Sequence, residues 1–285
     1  MKKLYLILAA LLLVASCKKK DDVQVPVRIH VNDFTITQDT LPSKDGIPEY
    51  NGVKAVTLAF YKADNAEQYR VTQFRSDPAT YTTFGDFSLS LPMGSYTMVV
   101  LGYGLNDGEP AITLTSPTTA TFGNNPARET FVATQAVNIT NTNAVELSAT
   151  LNRVIAKLHV LSTDYLTENV ASIRVAFSAG SKSFNPTTGL ATDNTGFSNE
   201  IVPGAAVGTV AGSVNYVFLN TDEQVMTITI DVLDADSNSL FHKVVSNVPF
   251  QRNRKTTLTG SLFSAGSSTD FEIDTDWLDD IVVPF

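Results

Sequence analysis

The chain of 285 residues is short of the side chains that carry most protein chemistry. It has one cysteine, Cys17, three histidines and one tryptophan. A single thiol cannot close an internal disulfide, and one sulfur without a nearby histidine is not a zinc-ligand pattern. Cations are also scarce: 20 lysines and arginines face 29 acids, a net charge of −9. No basic stripe offsets this, which excludes nucleic acid as a partner. No apolar run reaches the ~20 residues that span a bilayer. The 12 prolines are spread along the chain, which excludes long helices.

What is present begins at the N-terminus. Met1, Lys2 and Lys3 make a short basic start, Leu4 to Val14 is an unbroken apolar run, and Ala15 and Ser16 are small. This is the pattern of an export signal over residues 1–16. Leu13-Val14-Ala15-Ser16-Cys17 resembles the bacterial lipobox. That resemblance implies that Cys17 carries a thioether-linked diacylglycerol and becomes the mature N-terminus. Two or more acyl chains anchor a protein stably. Lys18-Lys19-Lys20-Asp21-Asp22 looks like the charged signal by which some Bacteroidetes lipoproteins reach the outer face of the outer membrane. Residues 17–24 then form a charged tether. Losing two lysines and no acid with the signal leaves 18 basic against 29 acidic residues, a mature charge of −11 over 269 residues. Without disulfides, stability must come from a packed core, and a hydrophobic content of 43% is enough for one.

Beyond the signal, period-two alternation and β-branched residues dominate. Val25 to Val31, Val53 to Tyr61, Tyr96 to Tyr103, Val225 to Asp234 and Ser239 to Ser246 all read as strands. Clusters of Gly, Pro, Asn and Asp separate them, so the chain is expected to be all-β and built of sandwiches. A weak repeat divides it. "VRIHV" (Val27 to Val31) resembles "AKLHV" (Ala156 to Val160), and "VKAVTLAF" (Val53 to Phe60) resembles "VASIRVAF" (Val170 to Phe177). The two offsets, 129 and 117, place 12 extra residues in the first half's first loop, Gln38 to Gly52. Two sandwiches of related topology are expected, residues 25–150 and 151–285, with a boundary near Glu146 to Asn152.

No constellation supports catalysis, and no cofactor or metal is implied. His30, His159 and His242 sit inside alternating strands and read as strand residues. Asp234, Asp236 and Asn238 begin like a calcium loop. An EF-hand would need glycine at Ser239 and glutamate at Val245, so this is a hairpin turn. "GYGLNDG" (Gly102 to Gly108) lacks dinucleotide-binding spacing and reads as a turn. The acidic end, Thr269 to Asp280, reads as a solvated strand, and Trp277 as a packing residue.

"ELSATLNRVIAKLHV" (Glu146 to Val160) resembles the domain junction of the Bacteroidetes fimbrillin and fimbrial-anchor family, through Leu151, Arg153, Ala156, Lys157, Leu158 and Val160. "LPMGSYTMVVLGYG" (Leu91 to Gly104) resembles that family's L-P-x-G-x-Y strand. "VPFQRNRKTTLTGSLF" (Val248 to Phe263) resembles its late strand, with Asn253 and Gly260 in place. The resemblance implies two tandem transthyretin-like (Ig-like) β-sandwiches in a surface lipoprotein that serves as a pilus subunit. It implies partners in other fimbrial subunits, joined by strand exchange, and a hold on the outer membrane through Cys17. Val25 to Phe34 would be the removable first strand. The donor would be the C-terminal strand, with Ile281, Val282, Val283 and Phe285 as its apolar residues. Stalk subunits of the family are typically cut after an arginine in the loop behind the first strand. Here that loop offers only Lys44, so an anchor or accessory position is favoured over a stalk. The alternative is a surface lipoprotein that binds glycans through its sandwiches.

Overall fold

The computed structural model describes residues 23–37, 52–106, 108–264, 271–276 and 280–284. The regular structure of the described residues is strand, as the alternating pattern requires, with a single 3-10 turn at Tyr81–Thr83. In chain order the first half contains β1 (Gln24–Thr37), β2 (Ala55–Tyr61), β3 (Glu67–Phe74), β4 (Asp86–Pro92), β5 (Gly94–Tyr103), β6 (Thr113–Ser116), β7 (Thr119–Thr121), β8 (Thr130–Ile139) and β9 (Val145–Arg153). The second half contains β10 (Ala156–Tyr165), β11 (Ser172–Phe177), β12 (Ser183–Asn185), β13 (Leu190–Ala191), β14 (Phe197–Ile201), β15 (Val210–Val217), β16 (Glu223–Leu233), β17 (Ser239–Gln251) and β18 (Lys255–Gly260). β19 (Glu272–Asp276) and β20 (Asp280–Pro284) follow.

The halves share one pairing plan. β1 lies between antiparallel β4 and parallel β9. β10 lies in the same way between antiparallel β15 and parallel β18. β2 pairs with β3 and β5, as β11 pairs with β14 and β16. β5 pairs with β8, as β16 pairs with β17. The repeated sequences fall on equivalent strands: Val27 to Val31 on β1 and Ala156 to Val160 on β10, then Val53 to Phe60 leading into and along β2 and Val170 to Phe177 leading into and along β11. The longer first loop, through residue 51, lies outside the described residues.

Each half inserts one extra hairpin, β6–β7 in the first and β12–β13 in the second. β7 pairs with β12, so the two hairpins form a single four-stranded sheet.

Three apolar cores follow from this plan. Alternate residues of β1, Val25, Val27, Ile29 and Val31, are buried with Leu58, Phe60, Leu91, Met98 and Leu151. The second core gathers Leu158, Val160, Val175, Ile228, Ile230 and Phe250. The third lies under the shared small sheet, where Tyr61, Leu101 and Tyr103 meet Phe122, Phe184 and Phe218. Phe184 stacks on Phe218 with ring centroids 4.2 Å apart.

The third core explains one departure from the sequence pattern. Val53 to Tyr61 reads as an alternating strand, yet all seven residues of β2 are buried. Its second face is covered by the small sheet, and strands covered on both faces read as continuous apolar runs. Glu146 to Asn152 lie within β9, a strand of the first half's sheet, and Leu151 packs in the first core. The chain passes to the second half between Arg153 and Ala156.

Candidate functional site: the first strand and its edges

β1 is the strand on which the described tail of the chain converges. Its residues Val25, Val27, Ile29 and Val31 are at most 2% exposed, whereas Gln24, Pro26, Arg28 and His30 between them face solvent. Burying each of the four side chains is worth about 1.5–3 kcal/mol, so the strand acts as a plug in the first core. The plug is also tied through its backbone. Val27 to Thr35 run parallel to Val145 to Asn152 of β9, and Gln24 to His30 run antiparallel to Pro92 to Asp86 of β4. On the solvent side Arg28 pairs with Glu146 at 3.3 Å, and His30 contacts Asp86 directly across the ladder.

The C-terminal strand β20 pairs antiparallel with the far end of β1. Ile281 lies opposite Ile36, Val282 opposite Thr35 and Val283 opposite Phe34. The structure therefore brings together the expected first strand and three of the expected donor residues. Cys17, Lys44, Phe285 and Trp277 lie outside the described residues.

The motif residues have identifiable physical work. In the L-P-x-G-x-Y stretch, the Tyr96 hydroxyl donates to the Pro92 carbonyl at 2.7 Å and closes the β4–β5 turn. Its ring meets Phe60 edge-on. Arg153, at the end of β9, pairs with Glu129 at 2.5 Å, and both side chains are largely buried. Its guanidinium also lies 5.2 Å above the Phe131 ring. Asn253 adopts φ +62°, a left-handed conformation that asparagine tolerates better than most residues, and its amide donates to the Ile155 carbonyl at 3.1 Å. At Gly260 a Cβ would sit 2.9 Å from the Phe271 ring, so glycine lets that ring lie over β18.

Other expected readings fall where the alternation put them. His242 lies on β17 and its Nδ1 is 2.6 Å from Asp231 of β16. His159 lies opposite Val214. The Asp234 carboxylate accepts the amides of Asp236 and Asn238, which makes Asp234 to Ser239 a hairpin turn between β16 and β17. Among the described residues, no three His, Asp or Glu side chains are grouped to hold a metal ion.

Sequence reading missed Asp164. Its carboxylate accepts the amides of Leu262, Phe263 and Ser264 and the hydroxyls of Ser162, Ser261 and Ser264, all between 2.6 and 2.8 Å. Burial raises its pKa, but the hydrogen bonds from Ser162, the Leu262 amide, Ser261 and Ser264 outweigh it and hold the carboxyl well below the usual carboxylate range. This cradle fixes the chain just after β18, at the root of the segment that leads to β19 and β20. The serine-flanked run Ser261 to Ser264 was the only local hint.

An all-β protein of several packed sheets, with a repeated strand-pairing plan and a tail returned to its first strand, is the class defined by these features. The chain belongs to the Family of unknown function (DUF6562), whose model matches residues 49–284. No curated protein matches the sequence. The structural neighbours are Bacteroidetes adhesin and fimbrial proteins. A candidate adhesin from Bacteroides ovatus is 12% identical over 93% of this chain and 99% of its own, with a TM-score of 0.52. Candidate polysaccharide-binding proteins (DUF1812) from Bacteroides thetaiotaomicron are 13% identical over 90% and 98%, at 0.50. The fimbrial anchor protein Mfa2 from Porphyromonas gingivalis is 13% identical over 92% and 99%, at 0.46. The first two likenesses establish a shared fold.

Proposed function

We propose that the chain is a non-enzymatic, surface-exposed lipoprotein that serves as a fimbrial subunit and joins other subunits by strand exchange. The observation that carries this reading is β1: a strand with four buried apolar residues, paired to β4 and β9, with an apolar C-terminal strand at its far end. Displacing it would expose Phe87, Leu91 and Leu151 and leave the facing edges of β4 and β9 unpaired. An apolar strand from a neighbouring subunit satisfies both needs at once, which is the physics of strand addition. The fold shared with a candidate adhesin supports a role at the cell surface.

Within that reading we place the chain at an anchor or accessory position, held in the outer membrane through lipid on Cys17. Arg28 is inside β1, opposite Ser88 and Glu146, and so is poorly placed for an arginine-specific protease. The next arginine, Arg70, is in β3, with its guanidinium donating to the Tyr61 hydroxyl at 2.8 Å. Lys44 is the one basic residue between Thr37 and Val53. The test is immunogold labelling of surface filaments, followed by N-terminal analysis of the labelled protein. A start at acylated Cys17 supports the anchor position. A start between Ile36 and Val53 without lipid makes the protein a processed stalk subunit, and unlabelled filaments refute the fimbrial reading.

A second reading has its own observation. A cleft of about 540 Å³ at the junction of the halves is lined by Thr134, Asn152, Arg153, Thr187, Arg252 and Asn253, a polar surface suited to sugar hydroxyls. Binding of the purified protein on a glycan array, lost on Asn152→Ala and Thr187→Ala, would favour glycan recognition through that cleft.

A further inference from the structure

β4 and β20 lie end to end along one edge of β1. β4 accompanies Gln24 to His30 and stops at Asp86. β20 takes over from Asp33, opposite Pro284, to Thr37, opposite Asp280. Between the two, the β1–β9 ladder carries a bulge. Val31 faces Ala149 and Asp33 faces Thr150, so Asn32 is the extra residue. A bulge bends its strand and increases the local twist, and this one falls where β1 changes partner. Without β20, residues 33–37 would present a row of unpaired backbone groups on that side, a template for another chain.

We infer that the C-terminal strand caps β1 within the same molecule and keeps the free subunit closed until β1 and β20 separate. The inference rests on the strand-exchange reading and adds an order of events to it. The five backbone pairs between β20 and β1 cannot form while β20 is donated to a neighbour. Displacing β1 therefore does two things together: it opens the first core and removes the partner that holds the tail. A subunit in which β1 and β20 are paired has neither an open groove nor a free donor strand. The cap is favoured by proximity. β19 is anchored on β18 up to Asp276, opposite Lys255, and β20 begins at Asp280, so a short connection keeps the tail near its partner edge. Such tethering gives effective concentrations that free strands do not reach.

Two measurements test this on the full chain carrying Cys17→Ser. First, Thr35→Cys and Val282→Cys place thiols on facing residues. Mild oxidation of a dilute sample should give one intramolecular disulfide in a monomer. Disulfide-linked dimers alone, or no disulfide, overturn the cap. Second, a fluorescent peptide of sequence DIVVPF is titrated against the full chain, against a chain ending at residue 279, and against full-length Val283→Pro, which loses a ladder donor opposite Phe34. The two altered chains should bind the peptide on the order of 100-fold more tightly than the intact one. Equal binding to all three, or binding to none, overturns the cap. Neither measurement uses filaments, so unlabelled filaments would refute the fimbrial reading and leave the cap standing.

Discussion

The Arg153 guanidinium donates to the Asn253 side-chain oxygen at 3.4 Å and so joins two residues 100 apart in the chain. Arg153 ends the last strand of the first half, and Asn253 precedes β18 of the second. With Glu129 at 2.5 Å from the same guanidinium, they form a polar clamp at the point where the chain crosses between halves. Both residues belong to stretches that carry the family resemblance, and their contact gives that resemblance a structural cause.

Arg153→Ala would leave Glu129 in a largely buried place without its cation. Removing one partner of a buried pair destabilises by about 3–5 kcal/mol, and we expect a loss of that order. Asn253→Ala should be milder. Denaturant unfolding of both single variants and the double variant should give a coupling energy of about 0.5–3 kcal/mol. Strictly additive effects would remove the clamp from the account.

Ile29 and Arg28 are neighbours in β1 on opposite faces. Ile29→Ala empties a place in the first core and should destabilise by about 2–5 kcal/mol. Arg28→Ala loses an ion pair whose side chains are both well exposed, worth about 0–1 kcal/mol. Thermal unfolding of the two variants should separate them clearly. Similar losses would mean that β1 does not plug the core.

Asp164 binds its six donors as a carboxylate, and its folded pKa lies below its ordinary value of 3.8. Its contribution is therefore complete above the unfolded pKa and fades as acid protonates the folded form. Asp164→Asn should lower stability by about 1.5–3 kcal/mol at pH 7. The gap between variant and parent should stay level down to about pH 5 and narrow below pH 4. A gap independent of pH would show that charge is not what the cradle recognises.

Cys17→Ser should move the protein out of the membrane fraction, because the thiol is the only attachment point for lipid in the sequence. Fractionation with metabolic labelling by a fatty acid reads both effects. A variant that stays in the membrane and still carries label would overturn the lipid anchor.

Much of this was legible in the sequence because strand alternation is a local property. Val25, Val27, Ile29 and Val31 point to one side of a strand whatever it pairs with, and the turn residues around Asp234 to Ser239 set their hairpin without help from distant chain. The repeat was legible for the same reason: β1 and β10, and β2 and β11, meet the same packing demands and keep similar side chains. What pairs with what was not local. Thr119–Thr121 and Ser183–Asn185 are three-residue strands without a sequence signature of their own, yet they join into the sheet that gives β2 its second buried face. The Asp164 cradle draws on backbone amides, which any sequence provides, and these amides converge only once β10 and β18 lie in parallel. The return of β20 to β1 required the tertiary structure too, because an apolar end such as Ile281 to Val283 fits many exposed edges. Only the folded chain, with β4 stopping at His30 and the bulge at Asn32, leaves this particular edge open to it.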